Sequence, residues 1–193
     1  YNKVSKKDSI NFRKQHSWDQ NFLILCTGEL NENKNQATII RAMKMVVEKI
    51  PNSKLLLAGN GPNENILRKL VLELHLEENI IFLGYRTDLE YFTNAADIVV
   101  TASFREGMPL NVLEAMYCYK PVIASINRGH IELIQDGRTG YLLDPSSEKD
   151  FAEKMIELGL DRKKREQFGK NAFQKVYKYT DINVKNELKS IYF

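Results

Sequence analysis

Two glutamates, Glu106 and Glu114, frame the stretch Arg105-Glu106-Gly107-Met108-Pro109-Leu110-Asn111-Val112-Leu113-Glu114-Ala115-Met116. Glu106 follows an apolar run, Gly107 frees the backbone, and Pro109 stands where a first helical turn begins. A helix N-terminus presents unpaired N–H donors and partial positive charge, which suits a phosphate. Carboxylates beside such an end accept hydrogen bonds from sugar hydroxyls. The combination fits a ligand with both hydroxyls and a diphosphate, a nucleotide sugar. Spacing alone leaves the plainer reading open, a solvated loop glutamate and an ordinary surface glutamate. Gly59-Asn60-Gly61-Pro62 invites a dinucleotide reading, but the third glycine is missing and the segment follows the second strand rather than the first. A tight turn, with Pro62 opening the next helix, is the simpler account. His16, His75 and His130 are scattered without metal-ligand spacing, and no Asp-x-Asp pair occurs. Of the three, His130 lies in a loop where it would touch a ligand.

These groups need a scaffold, and the apolar runs supply one. Phe22–Cys26, Leu55–Ala58, Ile80–Leu83, Ile98–Val100, Val122–Ala124 and Tyr141–Leu143 are short, mostly apolar throughout, and bounded by Gly, Pro, Asn or Asp. That pattern predicts strands buried on both faces of a parallel sheet. Helical spacing lies between them: Ala37, Ile40, Met43, Val47 and Ile50, stopped by Pro51; then Ile66, Leu67, Leu70, Val71 and Leu74. A short segment, Asp88–Asn94, precedes the fourth strand, and Glu148–Leu160 and Asp161–Tyr179 read as helices with many exposed charges. The β-α alternation predicts an α/β fold: a Rossmann-like, doubly wound parallel sheet of about six strands with helices on both faces. Ligands bind such sheets outside the carboxyl ends of the strands. The first twenty residues are polar and read as a linker with a short helix.

The chain has 193 residues, 28 Lys+Arg against 25 Asp+Glu, and a formal charge of +3. That charge is too small for a dedicated nucleic-acid binder, and 9 Phe with 9 Tyr rule out a disordered chain. No apolar run reaches the ~20 residues of a membrane span. Cys26 and Cys118 fit neither a zinc site nor a redox pair and read as buried free thiols in a reducing compartment. Residue 1 is Tyr rather than Met, which is expected of a chain that begins inside a longer gene product.

The stretch from Glu106 to Met116, followed by Lys120-Pro121-Val122-Ile123-Ala124-Ser125, resembles the E-x7-E region of retaining glycosyltransferases of family 4. Further matches follow in that family's order: Gly28-Glu29-Leu30 with Lys34-Asn35, Leu57–Pro62, Phe82-Leu83-Gly84, Ala96-Asp97-Ile98, Gly129-x-x-Glu132, and Asp136-Gly137-x-Thr139-Gly140. The resemblance runs from Phe22 to Tyr179. It implies the C-terminal, donor-binding domain of a GT-B enzyme, in which two Rossmann-like domains face a cleft. Residues 1–20 would be the interdomain linker, 21–180 the nucleotide-sugar domain, and 181–193 a C-terminal helix crossing to the N-terminal domain.

The resemblance also implies roles. Glu106 would contact the donor sugar and Glu114 the ribose, while backbone N–H groups of the Gly107-Met108-Pro109-Leu110-Asn111 turn would hold the diphosphate. Lys34 would neutralise the leaving diphosphate, Gly28 would let the first loop approach it, and Tyr85 and Arg86 would lie beside the base. Glu106 and Lys34 are thus the catalytic candidates. The reaction would move a hexosyl-type sugar to a glycan or lipid-linked acceptor with retention, using no metal and no cofactor. The acceptor would be held mainly by the N-terminal domain, and no nucleic acid is implied. A cytoplasmic location is implied, with the run Arg162-Lys163-Lys164-Arg165 read either as a solvated helix face or as a peripheral contact with the inner membrane face. Two positions depart from the family: Glu29 stands where Arg is frequent, and Tyr119 where Gly is common. The alternatives are a non-catalytic nucleotide-sugar binding module and a GT-B nucleotide-sugar epimerase.

Overall fold

A computed structural model describes residues 4–177. In chain order the elements are α1 (Lys6–Gln15), β1 (Phe22–Thr27), α2 (Gln36–Lys49), β2 (Ser53–Ala58), α3 (Glu64–Glu73), β3 (Ile80–Gly84), α4 (Leu89–Ala95), β4 (Ile98–Thr101), α5 (Leu110–Tyr117), β5 (Val122–Ser125), α6 (Arg128–Leu133), β6 (Gly140–Leu143), α7 (Glu148–Leu160) and α8 (Arg162–Tyr177). The six strands form one parallel sheet in the order β3-β2-β1-β4-β5-β6. The expected helix at 181–193 lies outside the described residues.

The central strands read as continuously apolar because both of their faces are covered. On β1, Ile24 and Cys26 point into a core built with Ile39, Ile40, Met43, Phe151 and Met155 of α2 and α7. Leu23 and Leu25 point the other way, against Phe92, Val112, Met116 and Ala172 of α4, α5 and α8. This alternation within an unbroken apolar run is the signature of a central parallel strand.

The segment before β1 is part of the packed structure. Ser5 caps α1 by accepting a hydrogen bond from Asp8 N at 3.1 Å. Phe12 of α1 sits edge-on to Phe92 at 4.9 Å, and Trp18 is 6% exposed. Arg13 reaches Asp97 at 3.2 Å and the carbonyl of Ala95 at 2.9 Å. At the end of α5, Tyr119 takes a left-handed conformation with φ +60°, which explains why glycine suits this position. Its ring stacks on Phe173 at 4.1 Å, an interaction that offsets part of the backbone cost.

The basic run of α8 is split: Arg162 and Lys163 are exposed, whereas Lys164 and Arg165 are half-buried. Arg162 pairs with Glu166 at 2.8 Å, Arg165 donates to the Gly159 carbonyl at 3.1 Å, and Lys164 pairs with Glu157. Glu157 also accepts from Tyr141 Oη at 2.6 Å and Lys154 Nζ at 2.8 Å, joining β6, α7 and α8. Burial pushes its carboxyl up, but the hydrogen bonds from Lys154, Lys164 and Tyr141 win and hold it at about 2 against an ordinary 4.5. A carboxyl depressed by folding stabilises the native state above its unfolded value and loses that contribution as pH falls through the folded one. Glu157→Gln is therefore expected to cost about 1–2 kcal/mol at neutral pH, a figure discounted for partial exposure. Thermal denaturation should show the gap to the native chain closing between pH 4.5 and about 2. A gap independent of pH would refute the charged network.

Candidate functional site

The sheet order reverses between β1 and β4, where the chain runs outward to β3 and then returns to the far side of β1. Loops leaving the carboxyl ends of β1 and β4 therefore diverge and open a crevice. Lys34 enters it from the loop after β1, and Glu106 from the loop after β4. Lys34 Nζ lies 2.6 Å from Glu106 Oε1, with the side chains 23% and 12% exposed. Two residues 72 positions apart thus form one charge-assisted contact.

The first loop is shaped by glycine. Gly28 has φ +141°, and a Cβ there would lie 3.3 Å from Cε of Lys34, so the lysine chain lies across the glycine. Asn31 Oδ1 accepts from Lys34 N at 3.0 Å, while Asn31 Nδ2 donates to Glu29 Oε2 at 2.9 Å. Glu29 is therefore turned to its own loop. The Gly59-Asn60-Gly61 segment packs against that loop: Leu30 N donates to Asn60 O at 2.9 Å, and a Cβ on Gly61 would fall 2.3 Å from Leu30 O. These glycines serve contact between loops, which accounts for the pattern that resembled a dinucleotide motif. Asn63, rather than Pro62, is the N-cap of the next helix.

The second loop ends at Pro109, the N-cap of α5, which supplies no side-chain cap of its own. This end carries the positive pole of the helix and, at Leu110 and Asn111, N–H groups with no partner inside the helix. A Cβ on Gly107 would meet nothing within 4 Å, so space beside this backbone is open. Met108 and Leu110 are 74% and 61% exposed. Asn111 is used within the fold, donating to Thr27 O at 3.2 Å and accepting from Val112 N at 3.0 Å. From behind, Gly129 N donates to Glu106 O at 3.2 Å, and a Cβ on Gly129 would lie within 2.8 Å of that oxygen. Glu114 is half-buried further along α5. Burial raises its carboxyl above the usual range, and nearby Glu90 adds to the rise.

Beside the crevice lies a cavity of about 340 Å³ lined by Gly28, Glu29, Gly59, Asn60, Tyr85 and Arg86, among others. Tyr85 is 75% exposed at its mouth. Arg86 is held by Asp88 through bonds of 2.8 and 2.6 Å and lies over the Phe92 ring at 5.0 Å. Gly28 belongs both to this cavity and to the lysine's path. Lys34 and Glu106 thus meet in the crevice beside the Gly107–Asn111 turn, Tyr85 and Arg86 share the adjoining cavity, and Glu114 lies on the second turn of α5.

Several contributors escaped sequence reasoning. Asn33 bonds with both backbone groups of Arg105, Nδ2 to O at 3.0 Å and N to Oδ1 at 3.1 Å. Helix α6 occupies a segment that the sequence pattern marks as loop. Its His130 is fully buried rather than facing a ligand, with Nδ1 2.7 Å from Ser125 O and Nε2 unpartnered. Burial lowers its pKa, although the bond to Ser125 and the charge of Glu106 work against that. Asn127 caps α6 and donates to Ser103 O at 2.9 Å, and Ser125 Oγ donates to the same oxygen at 2.6 Å. An Asn before a short helix was the available signal. Among the described residues, no helix is long and apolar enough to cross a membrane.

Comparison with known proteins places this geometry. The family described as "Glycosyl transferases group 1" matches residues 8–175. The putative glycosyltransferase EpsD of Bacillus subtilis is 32% identical over 190 residues, covering 98% of this chain and 50% of EpsD. The chain thus spans about half the length of this curated relative. The crystal structure of Anabaena HepE in complex with UDP-glucose superposes with a TM-score of 0.87 at 28% identity, over 97% of this chain and 54% of HepE. The crystal structure of the C-terminal domain of a glycosyl transferase group 1 family protein, LpcC from Francisella tularensis, gives 0.83 at 27% identity. It covers 93% of this chain and 96% of that domain.

Proposed function

The chain belongs to the glycosyl transferases group 1 family, with one Rossmann-like unit of the GT-B type, and on that premise we propose that it is the donor-binding half of a retaining sugar transferase. It takes a nucleoside diphosphate sugar and delivers a hexosyl group to a glycan or lipid-linked acceptor presented by a second domain. The observation that carries this reading is the Lys34–Glu106 contact beside the uncapped start of α5, at the point where the sheet order reverses. The overlap with a separately crystallised C-terminal domain supports the assignment to the donor half.

In this reading the base and ribose occupy the cavity by Tyr85 and Arg86. The diphosphate crosses Gly28 to reach Lys34 and the N–H groups of the Gly107–Asn111 turn. Negative charge growing on the leaving diphosphate is met by the Lys34 ammonium and the helix end, donors already in place before reaction. The chain's own groups supply this compensation without a metal. Glu106 orients the sugar and stabilises positive charge at the anomeric carbon. Glu29, bonded to Asn31, leaves the diphosphate to Lys34.

Calorimetry with UDP, GDP and ADP on this chain tests the proposal. At least one is expected to bind, Lys34→Ala to weaken it by ~30-fold or more, and Glu29→Ala to leave it within ~2-fold. Absence of heat with all three nucleotides in a folded sample would sink the reading.

A further inference from the structure

The geometry points to Asn33 as the residue that positions Lys34 and Glu106 against each other. The two residues stand on loops that the sheet does not join. The β1–β4 ladder pairs only Ile24 with Ile98 and Leu25 with Val99, and ends well short of either residue. Beyond it the loops run free of the ladder, yet an ion pair at 2.6 Å spans them.

Asn33 provides the missing link. Its carboxamide meets both backbone groups of Arg105: Nδ2 donates to Arg105 O at 3.0 Å, and Arg105 N donates to Oδ1 at 3.1 Å. Its own carbonyl accepts from Phe104 N at 2.8 Å. One side chain thus acts as a short length of strand partner for the second loop. Asn35 adds a longer bond to Ala102 O at 3.3 Å.

The order of residues gives these bonds their leverage. Asn33 immediately precedes Lys34, and Arg105 immediately precedes Glu106. The Arg105 carbonyl belongs to the peptide unit that carries Glu106 N, so fixing it sets the plane from which the Glu106 side chain departs. Two neighbouring cross-links, one amide-to-backbone and one ionic, therefore close a small frame. The amide half holds the spacing, and the ionic half bears the charge. A carboxamide is required, because only it offers a donor and an acceptor on one planar group of this length. Aspartate keeps the acceptor for Arg105 N but sets a second oxygen against Arg105 O.

This assignment of a positioning role rests on the donor-site reading for its function, but its geometry is testable without a ligand. The first readout is the 1H–15N signal of the Lys34 ammonium in the ligand-free chain, which a carboxylate partner protects from exchange with water. Glu106→Gln erases it as the control. Asn33→Ala is expected to erase it as well, with the thermal midpoint lowered by no more than a few degrees. Should the alanine variant fail to fold, Asn33→Asp gives the same reading with the side-chain shape kept. A signal that persists unaltered in the folded variant would overturn the proposal.

The second readout is UDP affinity in a double-mutant cycle. A ~10-fold effect of Glu106→Gln in the native chain is expected to shrink below ~2-fold when Asn33 is alanine. An undiminished effect would refute the coupling. Failure of the native chain to take up UDP, GDP or ADP counts against the donor-site reading, while the ammonium signal decides the role of Asn33 by itself.

Discussion

Glu106→Gln is expected to tighten the binding of a free nucleoside diphosphate while nearly abolishing sugar transfer. The Lys34 ammonium is held by the Glu106 carboxylate at 2.6 Å. An incoming diphosphate must claim that ammonium and set its own negative charge beside a carboxylate that is only 12% exposed. Two like charges about 4 Å apart repel by about 4 kcal/mol at an effective dielectric of 20, before salt and rearrangement reduce the figure. A residual of about 1.4 kcal/mol corresponds to a tenfold gain in affinity once glutamine removes the charge. Transfer moves the opposite way. Loss of a preorganised charge at the reacting centre costs on the order of 100-fold in rate or more. Calorimetry with UDP, alongside transfer by the complete two-domain enzyme, checks both. An unchanged or weakened affinity in a folded variant would mean that Glu106 and the diphosphate do not compete for Lys34.

Gly59→Ala is expected to destabilise the fold by about 3 kcal/mol or more, since steric and backbone costs add. Gly59 has φ +141°, a conformation open to glycine alone, and an added Cβ would fall 2.0 Å from Gly28 O and 2.8 Å from Gly28 C. Both obstacles are backbone, so no flexible chain end can yield. The loop carrying Gly28 and Lys34 must move, and nucleotide affinity should fall with it. Gly107→Ala is the contrasting case. Nothing in the protein occupies its Cβ position, so denaturation should be nearly unchanged while UDP binding weakens. Equal loss of stability in the two variants would show that the open space at Gly107 is not kept for a ligand.

The strands were legible because each is apolar on both faces, and Phe22–Thr27 and Val122–Ser125 differ from the apolar runs by a single residue. Glu106 was legible by residue type and by its place after a buried strand, Lys34 through the family resemblance, and the structure brings the two into contact. Their mutual spacing was not, because it depends on Asn33 meeting a peptide group 72 residues away, which no local periodicity reports. The same limit hid the partners of Gly59, Gly61 and Gly129, whose tightness comes from neighbouring loops. Helix α6 escaped because six residues hold too little repeat to register. The packing of α1 rests on Phe12 and Arg13, set among charged neighbours that mark a polar segment by composition.

The loop between β3 and α4 is built on different terms from the two that carry the ion pair. Gly59 N donates to Gly84 O at 2.8 Å, and Arg86 closes on Asp88 two residues later, while the Tyr85 ring projects outward. It sits on the sheet's outermost strand, on the opposite side of β1 from the Glu106 loop. Such a loop is a replaceable cassette. If the proposed donor site is right, residues 85–88 can be exchanged to suit another base while Lys34 and Glu106 keep their frame. On that reading, choice of nucleotide and execution of transfer are separable traits of one scaffold.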